Sequence, residues 1–290
     1  MSPNSPKSTI NSSPVLYIVA TPIGHMGDLS IRAANVLRAV DIVFAEDTRR
    51  TRTLLGHIGS TPSRVLRLDA HATESDIAQA VETLLKGNDA ALVSDAGTPL
   101  VSDPGSALIE RAIDKGVRVV PIPGPCAPVV ALCASGICGN GAFRFVGFLS
   151  RNASKQAEEI ATIAQTPEAV VLFEAPSRIH NTLVALSDAM PHRAACVARE
   201  LTKVHEEFLR GTVAELATLD REWIGEIVLV LSPYEPATET TVTNDQLDER
   251  IRLELRANLH PKTIASKLAA WSGRQRRDVY QRIVELKGQK

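Results

Sequence analysis

No apolar run in this sequence reaches the ~18 residues that a bilayer-crossing helix needs, so no membrane span is expected. Net charge is scarce too. The 32 Lys/Arg and 33 Asp/Glu nearly cancel, at -1, and whole-chain charge draws the protein toward neither nucleic acid nor membrane. Cysteine is limited to four residues, Cys126, Cys133, Cys138 and Cys196, with no CxxC spacing. The seven histidines are scattered, with no pair at metal spacing. No zinc site or disulfide framework is expected, and the thiols read as reduced and mostly buried in a cytoplasmic protein. There is no GxxxxGK[ST], which argues against a P-loop nucleotide site. TPIGHMGD, after the first apolar run, does not supply the GxGxxG of a dinucleotide fold. The opening MSPNSPKSTINSSP is polar and has no apolar centre, so residues 1–13 are expected to be a disordered tail and not a signal peptide.

The remaining sequence is that of a globular protein, 44% hydrophobic and 22% charged, with 290 residues, enough for two domains and a small third one. Short apolar runs alternate with helical patterns from residue 15. VLYIVA, DIVFAE, VLRL, AALVS and VRVVPI read as strands. IRAANVLRAV, ESDIAQAVETLLKG and GSALIERAIDKG read as helices, the last two closed by glycine. Continuous Val/Ile/Ala strands between helices predict a parallel sheet covered on both faces, over 14–140. From 141 to 233 the strands FRFVGFL, AVVLFEA, ACVARE, EEFLRGTV and EIVLVL predict a second α/β domain with a mixed sheet. A Pro/Thr/Glu linker is expected over 234–243. Residues 244–290 carry eleven Lys/Arg against six Asp/Glu and read as three short helices, the last two joined at Ser272-Gly273 like a helix-turn-helix. Such a segment is either a small basic cap or a nucleic-acid-binding domain.

Three loops follow strands: TPIG (21–24), SDAGTPLVSDPG (94–105) and PGPCAP (123–128). In a parallel α/β sheet the C-terminal strand ends form the ligand crevice, and glycines there let a ligand approach the backbone. Glu46 and Asp47 end the second strand at a spacing that also suits a ribose-binding carboxylate, which keeps a dinucleotide cofactor as a weaker alternative. Candidates for a proton-accepting group at these ends are Glu46, Asp47, Glu174, Glu200 and Lys203, if the lysine is neutral. Arg49 and Arg178 follow the carboxylates and can pair with them or grip phosphate. The structural alternatives are a helix cap for Asp47 and an ion pair for Arg199-Glu200. Asp103 reads as a cap for the following helix, and Asp95 as the better cofactor ligand.

The ordered set TPIG, AEDTR (45–49), SDAGTPLVSDPG, PGPCA, FEAPSR (173–178), RELTK (199–203) and GEIVLV (225–230) resembles the ribosomal RNA small subunit methyltransferase I group. These are the 16S rRNA (cytidine-2′-O)-methyltransferases of the tetrapyrrole methylase superfamily. The resemblance implies two α/β domains with S-adenosylmethionine in the cleft between them, a helix-turn-helix-like C-terminal domain, and a homodimer acting on the small ribosomal subunit. It further implies cofactor contacts from Pro22, Gly24, Asp95, Ala96, Gly97 and Thr98, with Val101 and Ser102 close by. Cys126 and Ala127 would line the pocket, and Phe173, Leu201 and Thr202 would flank the adenosine. The porphyrin-modifying branches carry a GxGPG-like first loop; TPIG departs from it, which argues against a tetrapyrrole substrate. Two other readings stand beside this one: a small-molecule methylase of the same superfamily, and a ligand-sensing nucleic-acid-binding regulator.

Overall fold

The computed structural model describes residues 14–234, 242–256, 259–272 and 274–288. The tail expected over 1–13 and most of the linker expected over 234–243 lie outside the described residues. The chain divides into two compact units, Met1–Tyr234 and Glu235–Lys290.

In the larger unit, the first sheet contains β1 (Val15–Val19), β2 (Ile42–Ala45), β3 (Arg64–Arg67), β4 (Ala90–Val93) and β5 (Arg118–Ile122). Their order is β3-β2-β4-β1-β5, all parallel. Side chains alternate between the faces of a strand, so each central strand must be apolar on both sides. Ala90 and Leu92 of β4 pack with Leu16, Ile42 and Phe44 beneath α3 (Glu74–Leu85) and α4 (Ser106–Asp114). Ala91 and Val93 face the other way, with Val19 and Val43, beneath α1 (Ile31–Ala39) and α2 (Thr48–His57). All five strands run the same way, so the loops after β1, β2, β4 and β5 emerge along one edge.

The second sheet has β6 (Phe143–Phe148), β7 (Ala169–Glu174), β8 (Ala194–Arg199), β9 (Glu207–Thr212) and β10 (Ile227–Leu231). The order is β6-β7-β10-β8-β9, with β6 and β7 parallel and the other pairs antiparallel. The same period-two logic divides β10. Ile227, Leu229 and Leu231 join the core beneath α6 (Ala153–Ala164), α7 (Ile179–Ala189) and α8 (Val213–Ala217), whereas Val228 and Val230 face α5 (Ala127–Ser135). Helix α5 therefore belongs to the packing of the second sheet, although it precedes residue 140. Arg210 of β9 fastens it by donating to the carbonyls of Ala134 (2.6 Å) and Ser135 (2.9 Å).

The smaller unit is three helices, α9 (Asn244–Arg256), α10 (Pro261–Ser272) and α11 (Arg276–Gly288), around Leu247, Ile251, Ile264, Leu268, Val279 and Ile283. Part of its positive charge is internal. Arg282 grips Asp248 with two bonds of 2.6 and 2.8 Å, and Lys267 pairs with the buried Glu254 at 2.8 Å. Among the described residues no helix is long and apolar enough to cross a membrane. The thiols differ from expectation: Cys196 is buried, Cys126 and Cys138 are half-buried and Cys133 is exposed, because α5 turns Cys133 away from the sheet it covers.

Candidate functional site

Three loops at the edge of the first sheet are stitched together. Thr21 and Gly97 exchange backbone bonds of 2.8 and 3.1 Å, joining TPIG to DAGTP. The Thr98 hydroxyl donates to the Pro125 carbonyl at 2.8 Å, joining DAGTP to PGPC. The loop after β8 faces them. Gly24 lies so close to it that a Cβ would come within 2.6 Å of both Thr202 Oγ1 and Lys203 Cγ, and the His25 N–H donates to Thr202 Oγ1 at 3.0 Å. Both sides hold non-glycine residues in the left-handed region: Leu100 (φ 74°) and Ser102 (φ 69°) on one, Glu200 (φ 50°) and Thr202 (φ 63°) on the other. Each costs about 1–3 kcal/mol, and such strain collects where function fixes the chain.

A cleft of about 360 Å³ opens between these loops. Ala96, Gly97, Thr98, Val101 and Ser102 form one wall, Phe173 and Leu201 the other, with Cys126 and Ala127 at the start of α5. No side chain caps the first turn of α5, whose first residues, Ala127 and Pro128, line the cleft; Pro128 has no N–H of its own. Phe148 and Phe173 lie 5.5 Å apart between ring centroids, tilted by 55°, and add an aromatic surface. Pro22, Gly24, Asp95 and Thr202, expected at the cofactor, stand outside the wall. Gly24 and Thr202 instead clasp the two loops together. Asp95 Oδ1 accepts the Asp47 N–H at 2.9 Å and Oδ2 lies 3.5 Å from Arg50.

Asp103, read from the sequence as a helix cap, enters the wall instead. The position before α4 is Gly105, with no side-chain cap, so neither Ser102 nor Asp103 serves that helix. Burial pushes the Asp103 carboxyl up to about 6; a Ser94 hydrogen bond opposes this, and Glu46 and Asp95 add to it. Among the described residues no arginine or lysine forms an ion pair with Asp103.

Most of the expected proton acceptors are engaged elsewhere. Asp47 caps α2 through the Arg49 N–H (2.8 Å) and pairs with the Arg49 guanidinium (2.9 Å), which together hold it at about 2. Glu174 reaches the wall, but its carboxylate is wholly buried: it accepts from the Thr182 hydroxyl (2.7 Å) and the Ala175 N–H (2.8 Å), and pairs with Arg178 at 3.4 Å. Lys203 bridges Glu200 (2.8 Å) and Glu226 (3.1 Å). Burial alone would favour neutral Lys203, yet those two carboxylates hold its pKa above the ordinary lysine value, so it is no neutral base. The side-chain bond to Lys203 and the Glu226 N–H hold Glu200 below the carboxylate range. Arg199 pairs with Glu207 at 2.7 Å and not with Glu200. Glu46 is raised, by partial burial and by the Asp95 carboxylate. It lines a second cavity, of about 500 Å³, beside Asp95.

Residues 15–217 match the family described as Tetrapyrrole (Corrin/Porphyrin) Methylases. A protein of Mesorhizobium japonicum named "Ribosomal RNA small subunit methyltransferase I" is 40% identical, over 94% of this chain and 92% of its own length. One of the same name from Xylella fastidiosa is 39% identical, over 91% and 97%. The chain belongs to the ribosomal RNA small subunit methyltransferase I family. A solved diphthine synthase shares the fold, with a TM-score of 0.57 at 19% identity, over 75% of this chain and 90% of that one. The diphthine synthase aligns with about three quarters of this methyltransferase-family chain, against more than nine tenths for the two relatives.

Proposed function

We propose that this protein transfers a methyl group from S-adenosylmethionine to the ribose 2′-hydroxyl of a cytidine in the decoding region of 16S rRNA, acting as a cytoplasmic homodimer on the small ribosomal subunit. The observation that carries the reading is the half-buried Asp103, free of any ion pair among the described residues, in the wall of a cleft lined largely by apolar and aromatic side chains. The names of relatives at 39–40% identity supply the substrate class. When bound, S-adenosylmethionine supplies an electrophilic methyl group on a positively charged sulfur.

The residues present fit that cofactor. Phe148 and Phe173 offer aromatic faces to an adenine, and the uncapped start of α5 suits a carboxylate. The strained backbone of 97–102 keeps the pocket shaped before anything enters it, and orientation of this kind can supply roughly 7–11 kcal/mol. A ribose hydroxyl is a weak nucleophile until its proton leaves. Asp103 accepts that proton on an Oδ atom: at about 6, its carboxyl is mostly ionised at neutral pH yet more basic than an ordinary aspartate. Lys203, Glu200 and Glu226 hold the opposite loop in position.

Acceptor choice tests the reading. With methyl-labelled S-adenosylmethionine, label is expected in small ribosomal subunits and none in a precorrin. Label in the precorrin and not in RNA would sink it.

A further inference from the structure

The second cavity is separate from the cleft proposed to hold the cofactor. It lies at the C-terminal ends of β2, β3 and β4, the edge of a parallel sheet where ligands bind, and is lined by Glu46, Arg49, Arg67, Asp69, His71 and Asp95. Its chemistry is graded. Glu46, Asp69 and Asp95 contribute carboxylates to the recess. Arg49 and Arg67 bring guanidinium groups whose side chains are 87% and 71% exposed. Each arginine is steadied by one neighbouring carboxylate, Asp47 or Asp69, so each fork is fixed in direction while part of it remains free to donate. Arg50 and Arg52 continue the positive edge along α2. The cavity adjoins the cleft at a single peptide: Asp95 belongs to one wall and Ala96 to the other.

We propose that this cavity receives the acceptor nucleotide of a single-stranded RNA segment, with its flanking phosphates on Arg49 and Arg67 and an amino-bearing base against the carboxylates. The inference rests on the RNA methyltransferase reading given above. Phosphates require the cations at the rim, and planar forks suit them better than point charges do. Carboxylates inside a recess accept hydrogen bonds and offer none, so they select a base with an exocyclic amine, such as cytosine, over one with only carbonyls. A recess of about 500 Å³ has room for an unstacked nucleotide and not for a duplex, which matches how RNA bases are usually read. The shared wall at 95–96 then brings the ribose to the border of the cleft, on the Asp103 side. Glu46 and Asp95 are close enough to Asp103 for their charges to act on it, so the two cavities form one electrostatic site.

The test uses the full chain, small ribosomal subunits and labelled S-adenosylmethionine. Arg49→Ala with Arg67→Ala is expected to raise the KM for subunits at least about tenfold and to flatten its salt dependence by one to two units of slope, roughly 0.7 per phosphate contact. Cofactor affinity and melting temperature stay as in the wild type, because both side chains are exposed. A second variant, Ala70→Trp, fills the cavity from its exposed rim and is expected to abolish transfer while cofactor still binds. An active wild type whose KM and salt slope survive the double substitution, or whose transfer survives Ala70→Trp, overturns the pocket alone. A wild type that binds cofactor but never methylates RNA overturns the function reading and the pocket together.

Discussion

Asp103→Asn is expected to bind S-adenosylmethionine about as well as the wild type and to transfer methyl about 10²–10⁴-fold more slowly, the range for loss of a general base. The acid limb of the wild-type profile should fall with an apparent pKa of about 6, since a base must be ionised to accept a proton. Glu46→Gln should move that limb to lower pH, because one of the negative charges that raise Asp103 is gone. Stability should change in the opposite sense to activity. The folded carboxyl titrates at about 6 against an ordinary 3.8, so the native state binds the extra proton and loses stability as pH rises from about 4 to about 6. Asp103→Asn removes that penalty, and the variant should melt higher than the wild type at pH 7.5, with the gain shrinking as pH falls from about 6 to about 4 and gone below that. Turnover within about threefold of wild type would remove Asp103 from the chemistry.

Arg178→Met is expected to destabilise the larger unit by about 3 kcal/mol, because it leaves the Glu174 carboxyl group without its cationic partner in a site with no solvent contact. Arg178 also donates to the Leu149 carbonyl at 3.0 Å, so the substitution frees a second buried acceptor. For a unit of this size the melting temperature should drop by roughly 6–12 °C. Combining it with Glu174→Gln should recover part of the loss, since the unpaired charge is then absent. The Ala175 N–H and the Thr182 hydroxyl donate to different carboxylate oxygens, so the amide oxygen keeps one of these donors and the recovery is only partial. A single variant that melts within a degree or two of wild type would show that Glu174 is not held by this pair, and would reopen its role in the cleft.

The two sheets were legible because β4, β7 and β10 are apolar on both faces, and no other arrangement of such runs buries them. Helix α5 was not. Its exposed face is Val129, Cys133 and Ala134, as apolar as the face it buries, so the sequence has no amphipathic period there. The glycines and prolines mark the loops that line the cleft, but residue order does not say which of their carboxylates faces it. Leu100 and Ser102, both left-handed, reverse the chain between Asp95 and Asp103. That reversal, invisible in residue order, turns Asp103 into the cleft and leaves Asp95 at the second cavity. The surroundings of Lys203 are hidden in residue order for a similar reason: its partner Glu226 lies 23 residues away on the strand-entry loop of β10.

The central claim is methyl transfer to a ribose oxygen of small-subunit RNA. Its direct test is mass-spectrometric mapping of 16S rRNA after incubation of small subunits with this protein and methyl-labelled S-adenosylmethionine. The expected result is a single labelled 2′-O-methylcytidine in the decoding region, absent when Asp103→Asn replaces the wild type. Label on a base carbon or nitrogen, or none in RNA from an active preparation, would contradict it.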